Sequence, residues 1–233
     1  MIDVRPTLRS NEFRAARIRS LKALVQDSID RRGGCDILDV GGTPQFWSNW
    51  RAEFDWSRTR LTCLNLWFDS PGDEWMRLVE GDARNLSTFG NCAFDVVFSN
   101  SVIQHVGNWH DMAAMAREVR RVGKSYFVHT PYFWFPIEPH TRTPLLHWLP
   151  ESLAYRIVLA RNTPFRRHSA DVDGAMRLVQ SARLVDSRQF KTLFPDAEIR
   201  RERLFGLTKS LIAVRNHLAP KEAGTGAQEQ TSP

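Results

Sequence analysis

The stretch Cys35-Asp-Ile-Leu-Asp-Val-Gly-Gly-Thr-Pro-Gln-Phe-Trp47 constrains this chain more than any other. Ile37 to Val40 reads as a short buried strand that runs into a glycine turn and then a helix. Asp39 stands at the carboxyl end of that strand, ahead of Gly41 and Gly42. Glycines there allow positive φ and let a ligand approach the main chain closely. In open α/β sheets, ligands bind in the crevice outside the carboxyl ends of the strands. The turn is therefore a candidate cofactor site, although Asp-x-Gly-Gly also closes many strands as an ordinary tight turn. Thr43-Pro44-Gln45 follow where a dinucleotide G-x-G-x-x-G would continue, and no Gly-Lys-Ser/Thr follows the turn. A ligand with a phosphate chain is disfavoured.

Further strand and helix signals repeat downstream. Residues 7–31 form a predicted helix with Ile18, Leu21, Val25 and Ile29 on one face, ended by Gly33-Gly34. Arg14, Arg17, Arg19 and Lys22 occupy its other faces and read as solvated. A second helix is expected from Pro44 to Arg51. Strands are expected at 60–66, 77–80, 94–98 and 125–130, with a helix capped by Asn108 before the last. The Met112, Met115, Ala116 and Val119 stripe of that helix reads as core. Asp186 should cap a further helix, and 197–205 and 207–214 should form two strands meeting at Gly206. Strand–helix alternation implies a parallel sheet covered on both faces. Asp39, Asn65 and Asp82 then lie at successive strand ends, with Asn100-Ser101 on a fourth, and should converge on one crevice.

These residues carry a resemblance. Ile37-Leu-Asp-Val-Gly-Gly42, Glu80-Gly-Asp-Ala83 and Phe94-Asp-Val-Val-Phe-Ser-Asn-Ser-Val-Ile-Gln-His-Val106 resemble the class I S-adenosylmethionine-dependent methyltransferases, of the bacterial type 11-like kind. The resemblance spans about residues 33–131 and 185–215. It implies a Rossmann-like, seven-stranded, mostly parallel α/β sheet with an antiparallel last strand. It implies S-adenosyl-L-methionine as cofactor, its methionine part lying against the Gly41-Gly42-Thr43 turn. Asp82 would face the adenine amino group, with the Ala83 amide nearby. Asn65 stands where the family normally has a carboxylate for the ribose, and Asp69 is a possible substitute. Asp39, Asn100 and Ser101 complete the expected cofactor set.

Residues 132–185 should form an insertion that caps the substrate, because loops this long are functional when ordered. Its Phe135-Pro-Ile-Glu-Pro-His140 and His147-Trp-Leu-Pro150 stretches resemble the cap of a bacterial methyltransferase group. Within it, 149–160 reads as a helix with Leu153, Ile157 and Val158 on one side. For a hydroxyl acceptor a general base poised near neutrality helps. His105, His140 and Glu138 are the expected catalytic residues, with His129, inside a strand, a weaker candidate. Each has a plain alternative as a structural histidine. The cap also carries Arg142, Arg156, Arg161, Arg166, Arg167, Arg177 and Arg183. A peripheral contact with anionic lipid is one reading of them; arginines in water are the other.

Composition narrows the rest. The 233 residues, 42% hydrophobic and 25% charged, suit one globular domain, expected over 1–217 with a disordered tail at 218–233. A formal charge of +6 permits nucleic acid, anionic lipid or an acidic substrate without selecting one. Cys35, Cys63 and Cys92 have no paired spacing and are expected as reduced, buried thiols. No secretory signal and no long apolar run is present, so the expected address is the cytoplasm. No metal site is expected, the histidines lacking zinc-like spacing. The expected activity is methyl transfer to a small-molecule, sugar or lipid-linked acceptor at oxygen. RNA methylation and a non-catalytic binding protein are the alternatives.

Overall fold

Strands without a polar face need cover on both sides. The structure, a computed structural model describing residues 8–160, 169 and 171–217, is built around such strands. β1 (Cys35–Val40), β4 (Phe94–Asn100) and β5 (Gly123–Pro131) are buried along almost their whole length. With β2 (Thr59–Asn65), β3 (Met76–Glu80), β6 (Glu198–Leu204) and β7 (Leu207–Arg215) they form one seven-stranded sheet. Its order is β3-β2-β1-β4-β5-β7-β6. The pairings from β3 to β5 are parallel, and β7 runs antiparallel to both β5 and β6. The expected fold is thus the observed one. A Gly123-Lys124-Ser125 triplet lies inside β5, so it makes no phosphate loop.

Side chains alternate between the two faces. On one, Ile37, Val96, Phe98 and Phe127 meet Ile18, Leu21, Val25 and Ile29 of α1 (Leu8–Arg32) and the buried Trp47 of α2 (Pro44–Trp50). On the other, Leu38, Val40, Val97 and Val128 meet the methionine stripe of α3 (Trp109–Val122). A C-terminal helix, Ser187–Leu193, adds Phe190 to that face. Asn108 and Asp111 form a reciprocal capping box at the start of α3. Gly33, at φ +82°, closes α1 by donating its N–H to the Ile29 carbonyl at 2.8 Å.

The insertion leaves and returns at one place. Tyr132 bridges Val185, and the Phe133 N–H reaches the Val185 carbonyl at 3.1 Å. His147 Nε2 and the Trp148 indole N–H both approach the Phe133 carbonyl at 2.8 Å, so the His-Trp-Leu-Pro stretch anchors the cap. Two helices, α4 (Glu151–Ala160) and α5 (Val172–Val179), pack through Ala154, Val158 and Ala175. Leu153, expected on the packed face, is instead 49% exposed, because the small Ala154 allows the close approach. Cys35 and Cys63 are buried as expected, but Cys92 is exposed in the turn before β4, at φ +53°. The 218–233 tail and Arg161, Arg166 and Arg167 lie outside the described residues. Among the described residues no helix is long and apolar enough to cross a membrane.

Candidate active site

β1 pairs with β2 on one side and β4 on the other, so the strand order reverses beside β1. A crevice opens at the carboxyl ends of strands at such a switch point. The glycine turn forms its floor. Gly41 has φ +82°, and a Cβ there would stand 2.3 Å from a Val102 methyl, so the turn and the loop after β4 touch directly. Asp39 is 2% exposed and accepts the Trp47 indole N–H at 2.6 Å. Burial pushes its carboxyl up to about 7, against the pull of that hydrogen bond. Thr43 caps α2 by accepting the Phe46 N–H.

The neighbouring strand ends are tied to this turn. Asn65 Nδ2 donates to the Gly42 carbonyl at 3.1 Å, and its Oδ1 accepts the Leu66 N–H at 2.9 Å. Asn65 therefore splints β2 to the glycine turn, where an acidic residue could not donate. Asp82, on the next strand end, is gripped by Arg84, whose Nη2 lies 2.6 Å from Oδ2. That bond holds its carboxyl below the usual range, against modest burial. Ala83 is buried beside it. Leu66 and Trp67, directly after β2, are 65% and 61% exposed. The sequence reading passed over this apolar pair, although two large apolar residues after a polar strand end are a visible signal.

On the other side of β1 the chain builds a cavity of ≈ 590 Å³. It lies between the ends of β4 and β5, the N-terminal half of α1, the start of the cap and the β6–β7 hairpin. Asn100 and Ser101 line this cavity. Asn100 Oδ1 accepts from Arg17 Nη1 at 2.8 Å. Ser101 adopts φ +63°, and its Oγ lies 2.9 Å from His129 Nδ1. His129 is buried, and its Nε2 lies 3.4 Å from Glu202. Burial, then the Arg17 charge, lowers the imidazole to about 4, so His129 is neutral at pH 7. Glu202 also takes Arg17 Nε at 2.8 Å and the Ser210 hydroxyl. Burial alone would raise it; the bonds from His129 and Arg17 hold it at about 2. Arg17 is thus no solvated helix residue, as its helical position suggested, but 8% exposed within this network.

The three expected catalytic residues come together from two segments. His140 Nδ1 lies 2.7 Å from Glu138 Oε1, and His140 Nε2 lies 3.1 Å from His105 Nε2. His105 Nδ1 ends the row 2.6 Å from the Ser181 carbonyl. A carbonyl only accepts, so His105 carries a proton on Nδ1. Burial alone would raise Glu138, but hydrogen bonds from His140 and Thr141 hold it down at about 2, so it too accepts. Both Nδ1 atoms then donate, which leaves the two Nε2 atoms facing each other. Burial holds His105 below the ordinary imidazole range, against the pull of the Ser181 carbonyl.

A family of methyltransferase domains matches residues 49–126, from the end of α2 to the start of β5. No curated protein sequence matches. A possible exported protein from Bordetella parapertussis shares the fold at a TM-score of 0.51 and 14% identity, over 88% of this chain and 67% of that one. An S-adenosylmethionine-dependent methyltransferase from Methanosarcina mazei superposes at 0.46 with 13% identity, over 78% and 91% of the two chains. The 1,6-didemethyltoxoflavin-N1-methyltransferase of Burkholderia thailandensis, solved with S-adenosylhomocysteine, gives 0.46 and 13%, over 85% and 77%.

The Asp39 carboxyl has a measurable consequence. Its raised folded value means that its contribution to stability is full below about pH 4, the unfolded range. That contribution is lost as pH rises through about 7. Asp39→Asn keeps the acceptor for Trp47 and cannot ionise. Melting temperatures of the unliganded proteins should diverge from pH 5 to pH 8, with wild type falling relative to D39N. A constant difference across that range would show that the folded Asp39 carboxyl is already ionised at pH 5 and that its value is not raised.

Proposed function

We propose that the chain is a class I S-adenosylmethionine-dependent methyltransferase that methylates a hydroxyl of a small acceptor held in the cavity beside β4 and β5. The observation that supports this most is the division of the crevice by β1. One side offers a glycine turn, a splinted strand end and an exposed apolar pair. The other offers a cavity with the His129 imidazole at its wall.

The residues on the first side fit the cofactor. Leu66 and Trp67 present an uncovered apolar face of the kind a purine covers, and the Asp82 oxygens accept hydrogen bonds beside it. Gly41, Gly42 and Thr43 bring bare backbone to the crevice. Asn65 Oδ1 and Asp39 lie beneath them, and Asn100 and Ser101 stand between the two sides. Bound there, S-adenosylmethionine supplies a methyl already activated by a sulfonium. The protein's task is then mainly alignment.

For a hydroxyl acceptor the chain must also take a proton, and His105, His140 and Glu138 are suited to it. With both Nδ1 atoms donating, the two Nε2 atoms meet at 3.1 Å, and either nitrogen can take the proton. His129 favours a second assignment, because it lines the cavity itself and is neutral. A sugar or lipid-linked acceptor remains compatible with this reading, and an acceptor screen with labelled methyl groups would separate them.

Two measurements test it. S-adenosylhomocysteine at a hundredfold excess over Kd should add about 2.7 kcal/mol to stability; no shift would remove the methyltransferase reading. With an acceptor in hand, kcat/KM should climb with pH through the imidazole range. His140→Gln should abolish that limb and cost about 100-fold. Loss of the limb in His129→Gln, with His140→Gln unaffected, would move the base to His129.

A further inference from the structure

The cavity beside β4 and β5 is lined by Arg14, Arg17, Arg142 and Lys209 and, among the described residues, by no acidic one. Of the two arginines of α1, Arg17 has a carboxylate against it, Glu202 at 2.8 Å. Glu202 is itself spent on Arg17, His129 and Ser210. The Lys209 ammonium sits 4.2 Å above the Phe13 ring rather than in bulk water. Charges of one sign are therefore gathered around one space. Burial lowers Lys209, and Arg17, Arg142 and Arg14 lower it further; Glu202 only partly offsets them. Arg14 is lowered by burial and then by Arg17.

Charge repulsion inside a partly desolvated cavity costs free energy in the empty protein. An anion placed among the cations removes that cost and forms charge-assisted hydrogen bonds. The same cavity has an apolar side. Phe135, Ile137, Leu204 and Phe205 line it, and Phe205 is 81% exposed at the tip of the β6–β7 hairpin. Phe205 and Gly206 both have positive φ, which turns the hairpin in two residues and sets the ring at the cavity mouth.

We propose that this cavity binds an acceptor carrying a carboxylate or phosphate next to an apolar body, with Arg14 and Lys209 holding the anion. The inference rests on the reading of the cavity as the acceptor site. It shifts the basic character of the chain from the outer surface of the cap to the inside of a pocket, built from α1 and β7. An anion held between α1 and β7 fixes the orientation of the acceptor and turns its remaining polar group toward Asn100 and Ser101.

Phenyl phosphate, benzoate and benzyl alcohol, titrated calorimetrically into the full chain, test this. The first two carry the anion on an aromatic body, and the third lacks it. At least one anion should bind about tenfold or more tightly than benzyl alcohol. The stronger of the two tells whether phosphate or carboxylate is preferred. Lys209→Met and Arg14→Gln should each weaken that anion about tenfold; Arg14 is exposed, so its variant keeps the fold. Benzyl alcohol binding as well as both anions, or anion binding unchanged in both variants, would overturn the proposal. S-adenosylhomocysteine is titrated into the same samples. If it binds and neither anion does, the anionic acceptor alone is overturned. If it does not bind, the acceptor reading falls, and the inference with it.

Discussion

The parallel pairing of β1 with both β2 and β4 is the constraint from which the rest of the molecule follows. Ile37 is in register with Leu61 on one side and Val96 on the other, so three carboxyl ends finish at one edge. Parallel strands cannot be joined by tight turns, and each needs a crossover that covers a face of the sheet. The glycine turn, the end of β2 and the loop after β4 are thereby forced together without any of them being adjacent in sequence. Val102 packed against Gly41 and Asn65 bonded to Gly42 are the contacts that this convergence makes possible.

Burying charge is the second organising choice. Arg17 could have pointed to solvent from the long α1 helix, yet it reaches Glu202 and Asn100, on β6 and β4. Removing a guanidinium and a carboxylate from water is costly unless every remaining bond is satisfied. Here Arg17, Asn100, Glu202 and Ser210 bond to one another, while His129 Nε2 stands 3.4 Å from Glu202 without a hydrogen bond. The network pins the N-terminal half of α1 to the far edge of the sheet and so makes the fourth wall of the cavity. Without it, the space beside β5 would be an open shelf.

Much of the sheet was legible in the sequence because period-two burial and glycine stops are local signals. Every strand was expected within a few residues of where it lies, and the Asp186 and Asn108 caps were read from side chains next to the helices they serve. The polar site was legible only as a set of strand ends. Nothing near Arg17 shows that it is buried, since its partners lie 185 and 83 residues away. Leu153 misled for the same reason: helical spacing gives two candidate faces, and contact with α5 chose the one with Ala154. His105, His140 and Glu138 were singled out as chemically suited residues, while the contact that joins them exists only after the cap folds back.

That fold-back gives the short segment 137–142 two faces. Ile137, Pro139 and Arg142 line the larger cavity, whereas Glu138 and Thr141 line a smaller one, of ≈ 200 Å³, beneath α4 and α5. Glu138 accepts the N–H groups of His140 and Thr141 as well as the Thr141 hydroxyl, so the turn is rigid around one carboxylate. The His140–His105 contact then fastens the turn to the loop after β4, and His105 to Ser181 fastens it to the end of the cap. The position of the Arg142-bearing wall therefore depends on a row of contacts that runs from Glu138 through His140 and His105 to Ser181.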